Sequence, residues 1–191
     1  MASLALHLLV AEEYLKFHKI DNVDDFIKGV FAPDMTDDKV ASHFSIYKKD
    51  MSYTDLLKNK VDLTQYVKNY DIETDFRKGE FLHLFTDYVF YNQYLIHLNT
   101  YKTLARSKVG DLNGVLYDEY NRVMHWLKQN YTLAYINRIP SKFTASVDEK
   151  MQIFDENSLK KVINYLADVD IDIMYKMIQN TKGKFSLKLS F

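Results

Sequence analysis

The sequence contains no cysteine, and this absence limits both its covalent chemistry and the metals that it can bind. Disulfide bonds and thiolate metal sites are excluded. Any metal must therefore be held by histidine nitrogen and carboxylate oxygen atoms, a donor set that suits zinc, manganese, iron or magnesium.

Proline and glycine are also scarce, with two prolines and five glycines in 191 residues. Tight turns depend on these residues, whereas hydrophobic residues make up 47% of the chain. This composition is typical of a compact protein built from long helices. We therefore predict an all-α protein, and because no shift in composition marks a boundary, we predict a single multi-helix domain over residues 1–191.

The chain has no excess of either charge, because 25 basic residues face 26 acidic ones. We expect no binding of nucleic acid by bulk electrostatics. The first apolar run, Leu4–Ala11, is interrupted by His7 and lacks the basic start and cleavage site of a signal peptide. It is also too short to span a membrane. We expect a cytoplasmic protein without a transmembrane segment.

The most informative stretch is Glu80–Tyr88, an apolar run that contains His83 and Asp87. On a helix, side chains four residues apart share one face, so both can bind a single ion. An HxxxD pair alone is a weak signal. It is strengthened by three more polar residues in apolar surroundings, namely His7, Asp34 and His43. An uncompensated buried polar group costs roughly a few kcal/mol, and a shared metal would satisfy all five residues together.

Each of the last three residues also has a structural interpretation. His7 lies on the apolar stripe of a helix predicted over residues 3–19, where a buried histidine is often only hydrogen-bonded to a neighbour. Asp34 follows a proline that we expect to end a short helix over residues 23–31, so it is equally suited to cap the next helix. His43 lies on a helix or turn that enters the core.

The longest helical pattern runs from Glu73 to about Lys102. Its only glycine, Gly79, would let another backbone pass closely. The inward stripe of this helix includes Asp87 and His97. In an unbroken helix His97 lies about 15 Å beyond Asp87, so we predict that His97 is structural and does not bind the same ion.

Further helices are predicted in the rest of the chain. We expect short helices that form a candidate lid over residues 53–70, a loop over 108–114, a helix over 115–129, and one or two helices over 159–178. On the helix over 115–129, Asp118, Asn121 and His125 form a polar stripe that either faces the same cavity or is solvated. Residues 182–191 alternate in polarity, as in a short strand or an ordered tail.

The order of these motifs resembles the zinc-dependent phospholipase C family. The resemblance covers roughly the first hundred residues and rests on His7, Gly29 with Pro33-Asp34, Ser42-His43-Phe44, and His83-Leu84-Phe85-Thr86-Asp87. It implies an all-helical fold like that of the family. It also implies one zinc ion held by four residues, namely Asp34, His43, His83 and Asp87. In that family the carboxylate that corresponds to Asp87 also bridges to a second zinc ion, which the residue corresponding to His7 holds.

Two features of that family have no counterpart here. Its N-terminal tryptophan ligand is missing, because the only tryptophan is Trp126, and the HxxxE pair of its third zinc site is replaced by His125 and Gln129. We therefore expect an intracellular relative with one or two divalent ions, zinc being the first choice. The implied function is hydrolysis of a phosphoester by metal-activated water, with Asp34 orienting or deprotonating that water.

Other functions fit parts of the pattern. A non-catalytic helical module that binds a protein partner would use the same residues as a closed structural metal site or a polar core. An oxidative di-metal bundle would require a pair of ExxH motifs, which the sequence does not contain. Arg77, Lys78 and Arg122 are candidates to pair with a substrate phosphate, although ordinary surface charge is the favoured explanation of all three.

Overall fold

A computed structural model describes residues 3–46, 58–98, 112–141, 144–181 and 185–189. Within these ranges the chain is all-helical and contains no β-strand, as predicted. The helices are α1 (Leu4–Tyr14), α2 (Val23–Met35), α3 (Lys39–Ser42), α4 (Leu63–Asn69), α5 (Asp75–Val89), α6 (Leu112–Asn130), α7 (Glu156–Asp168) and α8 (Ile171–Gln179). None of these helices is both long and apolar enough to cross a membrane. Residues 53–57 of the predicted lid and 108–111 of the predicted loop lie outside the described residues. The rest of the lid segment contains α4, and the loop prediction is wrong at 112–114, because α6 begins at Leu112.

Helix α1 is buried on every side and not only along one stripe. All side chains of Leu4–Ala11 are buried, and the helix packs against α2, α5 and α7. The prediction of a helix over residues 3–19 is wrong at its C-terminal end, because α1 stops at Tyr14. There the N–H groups of Lys16 and Phe17 donate to carbonyls three positions earlier, which tightens the chain into a turn.

Helices α2 and α5 cross with their backbones in contact, and two glycines make this possible. A Cβ atom on Gly29 would overlap the carbonyl oxygen of Phe76, and one on Gly79 would overlap that of Phe26. The predicted close approach of a backbone at Gly79 is confirmed. Because both helices carry candidate ligands, this crossing sets the spacing of the site.

Pro33 does not end α2, contrary to the prediction. It lies inside the last turn, and the helix continues to Met35. Pro33 has no N–H to donate to the carbonyl of Gly29, so the helix continues for two residues with one internal hydrogen bond fewer. Asp34 is therefore a buried helical residue and not a cap. The N-cap of α3 is Asp38, whose carboxylate accepts from the N–H of Ala41 at 2.9 Å.

The helix predicted over residues 73–102 is regular only as α5. It continues through a π-helical turn, Phe90–Tyr94, and a 3-10 turn, Leu95–His97, and residues 99–102 lie outside the described ranges. A π-helical turn holds more residues than an α-helical turn, so it rotates the following side chains away from the original stripe. His97 is consequently exposed and does not point inward as predicted.

Helices α6, α7 and α8 form the C-terminal part of the fold, in which α7 packs against α1, and α8 packs against α4 and α5. The predicted apolar stripes of these helices are buried. Glu119 of α6 is fully buried, and its Oε1 atom accepts from the N–H groups of Gln152, Ile153 and Phe154 at 2.8–2.9 Å. These three residues directly precede α7, so one carboxylate fixes α6 to the start of α7.

Residues 185–189 form the ordered tail that was one of the two predictions for this segment. The ring of Phe185 packs against Tyr88 with ring centroids 5.3 Å apart. The N–H of Leu187 donates to the hydroxyl of Tyr88 at 3.2 Å, and the N–H of Leu189 donates to the side-chain oxygen of Gln93 at 3.1 Å. The tail therefore covers the outer side of α5 and the π-helical turn without forming a strand.

Candidate metal centre

The five residues selected from the sequence meet in the interior of the protein. They come from four helices or helix ends: His7 from α1, Asp34 from the last turn of α2, His43 from the end of α3, and His83 and Asp87 from α5. We call these five residues the buried cluster. Their relative exposures are 0–1% except for Asp34, which is 6% exposed. Asp34 is thus the member closest to solvent.

The side-chain tips of the buried cluster lie within a few ångströms of one another. Nε2 of His43 is 3.2 Å from Nε2 of His83, 3.3 Å from Oδ2 of Asp87 and 3.9 Å from Oδ1 of Asp34. Nε2 of His7 is 3.3 Å from Oδ1 of Asp87. Two triplets have ligand atoms that all lie within 4.8 Å of one another: His7, His83 and Asp87, and Asp34, His43 and His83.

Backbone carbonyl groups orient two of the three imidazoles. Nδ1 of His83 is 2.7 Å from the carbonyl oxygen of Val30, and Nδ1 of His43 is 2.9 Å from that of Lys39. A carbonyl only accepts, so these contacts favour a hydrogen on Nδ1, and in a neutral ring Nε2 then presents a lone pair. Nδ1 of His43 also lies 2.9 Å from the hydroxyl oxygen of Ser42. A carbonyl partner on the second ring nitrogen is typical of metal-ligating histidines.

Burial and mutual contacts set the protonation states at the centre of the buried cluster. Burial, reinforced by His7 and His43, lowers the pKa of His83 well below its ordinary value. Burial alone would raise the pKa of Asp87, but its interactions with His7 and His43 hold that pKa well below the ordinary value. A neutral imidazole beside an ionised carboxylate is the combination that metal binding requires.

His7 lies against His83 as a stacked ring, with centroids 3.6 Å apart and planes 12° from parallel. Within the described part of the chain, its buried Nδ1 atom makes no hydrogen bond, and its buried Nε2 atom has only the contact with Oδ1 of Asp87 at 3.3 Å, which lacks hydrogen-bond geometry. A buried polar atom without a partner costs about 1–3 kcal/mol. A cation held between His7 and Asp87 would remove this cost, so the donor atoms present fit a metal ion.

The turn after α3 is strained in order to bury His43. Phe44 has φ 52°, the left-handed region that a residue with a side chain rarely adopts. Its ring packs against Tyr66 and Tyr70, with centroids 5.7 and 6.0 Å away. At this reversal of the chain, His43 enters the buried cluster and Phe44 packs on the neighbouring aromatic rings. Backbone strain of this kind is concentrated at functional sites.

The remaining polar candidates lie away from the buried cluster. On α6, Asp118 is exposed and His125 pairs with Asp148 at 2.9 Å, which corresponds to the solvated alternative for that stripe. Arg77 is paired with Glu80 and covers the ring of Tyr70 at 4.1 Å.

The second arginine proposed for phosphate binding is also occupied elsewhere. Arg122 pairs with Glu149 at 2.9 Å and approaches Glu119 at 3.5 Å. Lys78 is partly buried on α5. Both arginines therefore contribute to structure and not to the buried cluster.

Two lysines that interact electrostatically with carboxylates of the buried cluster were not selected from the sequence. Nζ of Lys39 is 3.5 Å from Oδ1 of Asp34. Burial lowers the pKa of Lys60, and the carboxylate of Asp87 partly offsets this effect. Neither lysine has a distinguishing sequence context among 25 basic residues, and only the spacing of four between Lys39 and His43 hinted at a shared helical turn.

Comparison of the chain with protein-family models, with curated proteins and with solved structures found no match. The functional interpretation therefore depends on the buried cluster.

Proposed function

We propose that this protein is a metal-dependent hydrolase of phosphoesters that holds one or two divalent ions in the buried cluster. The main support for this proposal is the distance of 3.2 Å between Nε2 of His43 and Nε2 of His83. Nδ1 of each ring faces a backbone carbonyl, which favours the neutral tautomer with a lone pair on Nε2, and two such lone pairs would face each other in the interior. Such an arrangement is repulsive unless a cation is shared, and the neighbouring carboxylates of Asp34 and Asp87 would neutralise that cation.

The donor set favours zinc as the bound metal. Three imidazoles and two carboxylates provide nitrogen and oxygen ligands without sulfur. The two oxygens of Asp87 face different imidazoles, Oδ1 towards His7 and Oδ2 towards His43. This supports a bridging role for Asp87 between two ions. The all-helical fold and the motif order also support a relationship to the zinc-dependent phospholipase C family.

The residues of the buried cluster are suited to distinct tasks in hydrolysis. A bound divalent ion lowers the pKa of water and neutralises charge on phosphoryl oxygens. Asp34 is the member nearest to solvent, so its carboxylate is best placed to orient a water molecule and accept its proton. Asp87 is fully buried with a lowered pKa, so it stays ionised and keeps its charge at the centre.

The near-complete burial of the cluster favours one alternative function. A structural ion, or a proton-bonded polar core, would also suit side chains that are at most 6% exposed. The protein would then be a non-catalytic helical module that binds a protein partner. A structural site closes its coordination shell with protein ligands, whereas a catalytic site keeps a position for water.

Metal analysis combined with two ligand variants tests the proposed function. After chelation and reloading with zinc, we expect about one or two ions per chain and hydrolysis within a panel of phosphate mono- and diesters. Asp87→Asn and His83→Ala should lose metal affinity by at least about tenfold and lose activity in parallel, since even second-shell partners change affinity by about 10- to 100-fold. His97→Ala, at an exposed position, is the matched control and should retain both.

The result of this experiment separates the two functions. Stoichiometric zinc without hydrolysis, in a site that exchanges no water, identifies the structural module. If the wild-type protein binds no divalent ion, the proposed metal centre is wrong, and the buried cluster is a polar core held together by shared protons.

A further inference from the structure

Ser42 joins two parts of the buried cluster that belong to different helices. Its Oγ atom lies 2.9 Å from the carbonyl oxygen of Pro33 in α2 and 2.9 Å from Nδ1 of His43. Pro33 directly precedes Asp34 in the chain. The hydroxyl of Ser42 therefore contacts the backbone beside one candidate ligand and the imidazole ring of another.

The groups around Ser42 determine the direction of its hydrogen bonds. A carbonyl oxygen only accepts, so the hydroxyl donates its hydrogen to Pro33, and the carbonyl of Lys39 is a more distant acceptor at 3.3 Å. Oγ then presents a lone pair to His43 and accepts from Nδ1. This order leaves the lone pair of the neutral ring on Nε2, which is 3.3 Å from Oδ2 of Asp87.

The carbonyl of Pro33 needs a hydrogen-bond donor from outside its own helix. Helix α2 ends at Met35, and the last four carbonyls of a helix have no N–H partner within that helix. The same turn has one internal hydrogen bond fewer, because Pro33 has no N–H to donate. The hydroxyl of Ser42 therefore supports the turn that carries Asp34 where the internal hydrogen bonds of α2 are fewest.

The other contact of the His43 ring does not replace this link. Nδ1 of His43 is also 2.9 Å from the carbonyl oxygen of Lys39. Lys39 and His43 lie on the same short turn, so this contact orients the ring relative to α3 only. The hydrogen bond from Ser42 to Pro33 connects α3 to α2 and thereby relates the position of His43 to that of Asp34.

We propose that Ser42 is a positioning residue of the metal centre, which holds the ring of His43 and the carboxylate of Asp34 at the spacing that one divalent ion requires. Bonds from zinc to nitrogen and oxygen ligands are about 2 Å long, so two ligand atoms of one ion lie at most about 4 Å apart. Nε2 of His43 and Oδ1 of Asp34 are 3.9 Å apart, close to this limit. Movement of α3 away from α2 would separate them too far. This inference rests on the proposed function, because Ser42 acts only through residues that hold the ion.

The zinc affinities of three serine variants test this role. In competition with a chelator, we expect Ser42→Ala to bind zinc about 10- to 100-fold more weakly than the wild type, as for other partners of metal ligands. Ser42→Thr keeps the hydroxyl and should restore most of the affinity. Ser158→Ala is the matched control, because it removes a partly buried hydroxyl that donates to the carbonyl of Asp155 at 3.1 Å, and it should bind zinc like the wild type.

Proton NMR of the cobalt-loaded protein provides a readout that a general loss of stability does not change. The paramagnetic ion shifts the N–H signals of its histidine ligands away from the rest of the spectrum. In Ser42→Ala the Nδ1–H signal of His43 should move, because this group loses one of its two acceptors. The Nδ1–H signal of His83, whose partner is the carbonyl of Val30, should stay at its wild-type position.

Three results overturn the inference and leave the proposed function intact. The first is wild-type zinc affinity in Ser42→Ala together with an unmoved His43 signal. The second is a loss in Ser42→Thr as large as that in Ser42→Ala, which would show that the hydroxyl is not the cause. The third is an equal loss in Ser158→Ala, which would attribute the effect to general stability. Absence of zinc binding by the wild type would instead overturn the proposed function together with this inference.

Discussion

At the scale of single residues, Tyr94 shows how burial changes a side chain's chemistry outside the buried cluster. Its hydroxyl lies 3.5 Å from the carbonyl oxygen of Asp155 and 3.5 Å from Oγ of Ser158. Burial raises the pKa of Tyr94 from 10.0 to about 12. Between these values the unfolded chain releases a proton that the folded chain retains, so stability that is present below pH 10 is lost as the pH rises through 12.

We therefore expect the free energy of unfolding to fall with pH in the alkaline range, and Tyr94→Phe to reduce the slope by up to about 1.4 kcal/mol per pH unit. Urea denaturation of the chelated protein at pH values between 10 and 12 measures this slope. Tyr117 is 64% exposed, so Tyr117→Phe should leave the slope unchanged. Equal slopes in the wild type and in Tyr94→Phe would contradict the assignment.

At the scale of helices, the crossing of α2 and α5 controls the geometry of the buried cluster. Gly79→Ala should separate the two helices, because the added Cβ would overlap the carbonyl oxygen of Phe26. Overpacking of this kind costs about 1–3 kcal/mol, and we expect a loss of stability in that range together with weaker zinc binding. Lys28→Ala changes an exposed position of α2 and should affect neither quantity. Wild-type stability and zinc affinity in Gly79→Ala would show that the crossing can relax freely.

The same pair of helices shows what can be predicted from a sequence. The spacing of His83 and Asp87 on one helical face is a local property, and the apolar context of His7 and His43 reports burial, so these residues were found. The π-helical turn that exposes His97 and the continuation of α2 through Pro33 depend on tertiary packing, which overrides local preference. The carbonyl of Val30 and the ammonium of Lys39 contact the buried cluster because of where the fold places them. Their residue types alone do not predict these contacts.

At the scale of the whole molecule, Glu119 links the C-terminal helices. Its buried carboxylate accepts from the N–H groups before α7, and α7 packs against α1, which carries His7. Glu119→Gln keeps one oxygen that can accept from Ile153 and Phe154, but it removes the charge and places an amide donor where Oε2 accepts from Gln152 and Arg122, so we expect a loss of about 2–4 kcal/mol in the free energy of unfolding. The variant can be compared by urea denaturation with Glu149→Gln, whose side chain is 51% exposed and which should differ from the wild type by less than about 0.5 kcal/mol. A loss of similar size in both variants would mean that the backbone contacts of Glu119 are not the cause.

The burial of α1 on every side also has a consequence during synthesis. The ribosome makes α1 before any of its packing partners, and α7 begins only at Glu156. At about 5–20 residues per second, translation from Tyr14 to Glu156 takes on the order of 10 s. Throughout this interval the apolar surface of α1 has no complete cover, and we expect nascent chains that end before α7 to be bound by holding chaperones.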